Sequence, residues 1–104
     1  MRWIAMIVAI WASPSGAQDG NFLLDICTKG ATYSPDMCAG FVGGATGLIP
    51  YAPQFSSTVC LPTGVTYPQM TDVVIAYLQD NPAQRHNFAS PLIAIALGEA
   101  FPCK

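Results

Sequence analysis

Charge is what this sequence has least of. Charged residues fill 10% of its 104 positions, with four Lys and Arg, six Asp and Glu, and a single histidine. Four basic residues under a formal net charge of -2 exclude a nucleic-acid binder, which needs a basic stripe to neutralise phosphates. Low charge beside 52% hydrophobic residues excludes disorder, which requires the opposite balance. An apolar run of about 20 residues, the length a spanning helix needs, is missing too. The uncharged stretch from Met37 to Thr71 is divided by prolines and glycines and is no such span.

The groups that chemistry uses are equally sparse. Cys27, Cys38, Cys60 and Cys103 contain no C-x-x-C pair, and His86 has no second imidazole beside it. Zinc sites are built from closely spaced ligand pairs, so no metal is expected. There is no G-x-S-x-G elbow, no Walker loop and no H-E-x-x-H helix. The glycines from Gly40 to Gly47 resemble a phosphate loop in composition only, since no Lys-Ser or Lys-Thr follows. The acidic residues are scattered. No catalytic residue and no cofactor is expected, and the chain reads as a non-enzyme.

What is present begins with a leader. Arg2 precedes an apolar run from Trp3 to Ala12, and Ser15 and Ala17 place small residues where a signal peptidase reads. The expected division is a signal peptide over residues 1–17 and one helical domain over 18–104. An exported chain meets an oxidising compartment, where four cysteines read as two disulfides.

The domain has helical period. Thr66-Tyr67-Pro68-Gln69 forms a capping box, followed by Met70, Val73, Val74, Tyr77 and Leu78 on one stripe until Asp80-Asn81-Pro82. Ser34 and Pro35 start a second helix with Met37, Cys38, Phe41, Val42, Ala45, Leu48 and Ile49 on one face, closed by Pro50 and Pro53. A short first helix runs from about Asn21 to Thr28, burying Phe22 or Leu23 with Ile26 and Cys27. The last helix buries Leu92, Ile93, Ala96, Leu97 and Ala100. It starts near Asn81-Pro82 or Asn87 with a kink at Pro91, or afresh with Ser90 as cap and Pro91 in its first turn. Pro53 to Val65 reads as irregular. The fold expected is all-α, a small four-helix bundle stapled by two disulfides.

Four cysteines allow three connectivities. Antiparallel helices joined by a short loop bring Cys60, before the third helix, near Cys103, after the fourth. That favours Cys60–Cys103, and Cys27–Cys38 by elimination, with the other two pairings still open.

Two features suggest binding. At about 100° per residue, Gly40, Gly43, Gly44 and Gly47 gather on a stripe roughly 140° from the large apolar side chains of their helix. Each glycine costs about 1 kcal/mol relative to alanine. The stripe therefore admits a close backbone: another helix of this chain, a second copy in a homodimer, or a different protein. The turn Asp80-Asn81-Pro82-Ala83-Gln84-Arg85-His86 concentrates polar groups between apolar helices. Asp80, Arg85 and His86 are its candidate contact residues, against the plainer reading of a solvated connection.

The residues also carry a pattern: Asp19-Gly20 before Leu23-Leu24 and Cys27, then Cys38-x-Gly40-Phe41-x-x-Gly44 and Cys60-x-Pro62. Val65-Thr66-x-x-Gln69, Val73-Val74 and Tyr77-Leu78 follow, then Pro82, Arg85-His86, Ala89, Ala96-Leu97 and the ending Ala100-Phe101-Pro102-Cys103. The pattern resembles the Rap/Tai family of immunity proteins associated with type VI secretion, over essentially the whole domain. Gly47, where an acidic residue is common, and Pro91 depart from it. The resemblance implies a small helical periplasmic protein, similar in architecture to the acid-stress chaperone HdeA. It implies a role as well: binding and occluding a peptidoglycan amidase effector. The alternatives are an HdeA-like periplasmic chaperone, or an orphan binding module of the same fold.

Overall fold

The computed structural model describes residues 18–28 and 32–104, and the expected leader lies outside them. In chain order the helices are α1 (Gly20–Thr28), α2 (Pro35–Leu48), α3 (Pro53–Ser56), α4 (Tyr67–Asp80) and α5 (Ala89–Ala100). Single 3₁₀ turns occupy Ile49–Tyr51 and Pro82–Gln84. Among the described residues there is no strand, only isolated antiparallel bridges joining Asp19 to Phe88 and Val59 to Pro102.

The two 14-residue helices, α2 and α4, begin where their local chemistry directs. Ser34 Oγ accepts the Met37 N–H at 3.3 Å and Pro35 opens α2. The capping box of α4 is closed from both sides: Thr66 Oγ1 accepts from Gln69 N at 3.2 Å, and Gln69 Oε1 accepts from Thr66 N at 2.8 Å. Pro50 lacks the N–H that would continue α2, so the helix stops at Leu48 and tightens into a 3₁₀ turn. The segment expected to be irregular contains α3, one turn that starts at Pro53 as soon as Ala52 turns extended.

Of the alternative starts for the last helix, the one with Pro91 in the first turn holds, without Ser90 as its cap. Phe88 is the extended residue at the cap position and Ser90 is the second helical residue. The reason lies outside the helix: Phe88 is held extended by its bridge to Asp19, so the helix begins directly after it.

The four long helices pack pairwise, each against the other three. Leu23 and Ile26 of α1, Val42 of α2, Val74 and Leu78 of α4, and Leu92, Ile93 and Leu97 of α5 are sealed from solvent in one core. Two side chains expected on the buried face of α2 are not there: Met37 is 51% exposed and Leu48 67%. Cys38, Val42 and Ile49 point at the core centre, and Met37 and Leu48 lie roughly 100–120° around the helix from that line. Ala100 is also exposed, and half-buried Phe101 packs on that end of the core instead.

Two disulfides fasten the bundle. Cys27–Cys38 joins the end of α1 to the start of α2, with Cα atoms 5.1 Å apart. Cys60–Cys103 joins the approach to α4 with the exit of α5, at 5.0 Å. These are the favoured pairs. Around the second bridge the Cys60 N–H donates to the Phe101 carbonyl at 2.9 Å. The chain before it lies close on α5, where a Cβ at Gly98 would stand 3.3 Å from the Thr58 carbonyl oxygen and from Val59 Cγ2.

Candidate functional site

The antiparallel pair α4–α5 has the Cys60–Cys103 bridge at one end and the turn from Asp80 to Phe88 at the other. That turn is a built object. Asn81 ends α4, its side-chain amide donating to the Tyr77 carbonyl at 2.8 Å. Pro82 then sets the 3₁₀ turn, closed by Gln84 N–H to Asn81 O at 2.9 Å and Arg85 N–H to Pro82 O at 3.3 Å. The Asn87 N–H donates to the Gln84 carbonyl at 3.0 Å, and its side-chain amide reaches Gln84 Oε1 at 3.1 Å. These internal bonds restrict the connection, and preorganisation lowers the ordering cost of binding.

Its side chains face outward. Asp80, Pro82, Ala83, Gln84, His86 and Asn87 are all exposed. Arg85 is half-buried, with Nε enclosed and without an acceptor among the described residues. Buried N–H groups are rarely left so; the exposed part of a planar guanidinium is suited to a carboxylate or carbonyl on a partner. Next to it Phe88 exposes 61% of its surface. Aromatic residues and arginine are both enriched at protein–protein interfaces. Phe88 was absent from the sequence candidates because it belongs to no helical stripe; a lone aromatic within a polar turn was the available signal.

The glycine stripe divides. A Cβ at Gly43 would meet the Tyr67 ring at 3.4 Å, so this glycine takes a side chain of the same molecule. Gly40, Gly44 and Gly47 have open space beside them, and among the described residues no helix packs there. The structure keeps stripe and turn apart. Gly43 touches the first residue of α4 while the turn follows its last, roughly 20 Å away at 1.5 Å per residue.

Little in the molecule is arranged for chemistry. Among the described residues no three of His, Cys, Asp and Glu gather to hold a metal, and no helix is long and apolar enough to cross a membrane. A shallow depression between the starts of α2 and α4 is walled by Tyr33, Pro35, Tyr67 and Pro68, with Asp72 as its single carboxylate. On α4, burial and then the charge of Glu99 hold the Tyr77 phenol above its ordinary pKa of 10.0. An arrangement of this kind can fill and block.

Searches of curated proteins and of solved structures each return no match. A family model does match, that of the Rap1a immunity proteins, over residues 19–103. The matched span takes in the core, both disulfides and the turn, and the chain belongs to the Rap1a immunity protein family, whose members act against secreted effectors.

Proposed function

We propose that this protein is an exported periplasmic immunity protein that binds and occludes a type VI secretion peptidoglycan amidase. The contact surface in this proposal is the turn from Asp80 to Phe88. The observation that carries the proposal is the construction of that turn. It is a hydrogen-bonded turn at one end of a disulfide-stapled bundle, presenting half-buried Arg85, exposed His86 and the open ring of Phe88. Occlusion needs a rigid shape and needs no reactive group, which suits a molecule poor in chemistry. The leader over residues 1–17 supports export. The test is the clearing of purified peptidoglycan by a type VI secretion peptidoglycan amidase. One molar equivalent of this protein should stop it, and the Arg85→Ala/His86→Ala variant should not. Undiminished clearing with the native protein at excess would remove the proposal.

We further propose a second copy of this chain as the occupant of the open face of α2. Gly40, Gly44 and Gly47 lie there beside exposed Met37 and Leu48, a surface on which two backbones can come close. Sedimentation of the native protein against Gly44→Leu tests it: a dimer that becomes a monomer is the expected result, and a native monomer would remove the proposal.

A further inference from the structure

We infer that Asp19-Gly20-Asn21 is a strap whose backbone sets the shape of the turn, and that Gly20 is a positioning residue for inhibition. The inference rests on the reading of the turn as the contact surface. It begins from an accounting of the first amides of α1, which a helix leaves without partners of its own. The Phe22 N–H donates to Asp19 Oδ1 at 2.9 Å, and the Leu23 N–H to the Asp19 carbonyl at 3.0 Å. The two amides before them cross to the turn: Gly20 N–H to Asn87 O, and Asn21 N–H to Arg85 O, each at 3.0 Å. The accepting carbonyls flank His86, so the exposed crest of the turn is gripped on both sides. The antiparallel bridge of Asp19 to Phe88 extends the pairing to the Phe88 backbone.

Such an approach has no room for a side chain. Gly20 is buried, and a Cβ there would meet Leu92 Cδ1 at 2.7 Å and the Cα and carbonyl oxygen of Arg85 at 3.0 Å. The leucine methyl can swing aside; the Arg85 backbone cannot move without moving the turn. Glycine is needed here for closeness, since among the described residues the positive-φ glycine is Gly64. With the strap displaced, Arg85 to Phe88 keeps only the bonds made within the turn, and its shape must be reimposed on binding.

The experiment compares two glycine variants of the disulfide-bonded protein. Gly20→Ala crowds the strap. Gly98→Ala crowds α5 near its far end against Thr58 and Val59 and serves as the control for general destabilisation. In Gly20→Ala, amide exchange at Asn21, Gln84, Arg85 and Asn87 should quicken at least about 10-fold over Gly98→Ala, with the central amides of α4 and α5 alike in both. The dissociation constant for the type VI secretion peptidoglycan amidase of the proposed function should rise about 10-fold or more for Gly20→Ala and stay within about twofold for Gly98→Ala. Asn21→Pro removes one strap donor at a first-turn position where proline is tolerated, and should quicken exchange and weaken binding about fivefold. It decides the matter if Gly20→Ala does not fold. Equal turn protection, or equal affinity, in the strap variants and Gly98→Ala overturns the inference. If the native protein leaves the amidase free, the functional proposal falls, and amide exchange still decides the strap.

Discussion

Replacing Cys60 and Cys103 with serine opens the bridge that spans 43 residues of chain. In the chain-entropy account such a loop restricts the unfolded state by about 13 cal/mol/K, or about 4 kcal/mol at 25 °C. The 11-residue separation of Cys27 and Cys38 gives about 2.8 kcal/mol by the same relation. Serine suits the first pair because Cys60 is exposed and Cys103 half-buried, whereas Cys27 and Cys38 are both enclosed. At roughly 4–8 °C per kcal/mol for a domain of this size, Tm should fall by about 16–32 °C. Circular dichroism melts of native and double-serine protein measure it. The bridge lies roughly 20 Å along α4 from the turn, so the folded fraction should bind its effector with unchanged affinity. A Tm lowered by less than about 5 °C would refute the restraint argument. A large loss of affinity with little loss of stability would refute the separation of staple from turn.

Other outcomes follow from single positions. Thr66→Ala removes the acceptor of the α4 capping box and should cost about 1 kcal/mol in denaturant titrations. Leu78→Ala, at a side chain sealed between α4 and the other helices, should cost about 2–5 kcal/mol by the same measurement. Gly44→Ala has open space around the added methyl and should stabilise the monomer by up to about 1 kcal/mol in thermal melts. Tyr77→Phe tests the raised phenol: the native fold keeps this proton more tightly than the unfolded chain, so its contribution is complete below pH 10.0 and is lost as pH rises through the raised value. Above pH 10.0 the native protein should lose stability more steeply than Tyr77→Phe, and parallel stability curves would contradict the assignment.

The helices were legible in the sequence because their signals are local. Thr66 and Gln69 sit three apart and close on each other; Ser34-Pro35 opens α2 as such a pair should; Pro50 stops it. The disulfide pairs followed from how a helical pair turns back on itself. Hidden were matters settled between distant parts of the chain. Whether Met37 and Leu48 were buried depended on the width of the core stripe, which neighbouring helices decide. The start of α5 was set by Asp19, about 70 positions earlier, through a backbone bridge that no side-chain pattern announces. Gly20 was visible within a motif, but the reason for it, the backbone of Arg85 against its Cα, appears only in three dimensions. The turn was readable as a polar interval, while its internal bonds and the open ring of Phe88 were not.

The most direct measurement is the dissociation constant of the native protein for the proposed partner, a type VI secretion peptidoglycan amidase, by titration calorimetry, next to Arg85→Ala/His86→Ala/Phe88→Ala. The account predicts one-to-one binding by the native chain, weakened at least about 100-fold in the triple variant, with both disulfides and the helical spectrum retained. Native-like affinity in the triple variant would contradict the turn as the contact surface.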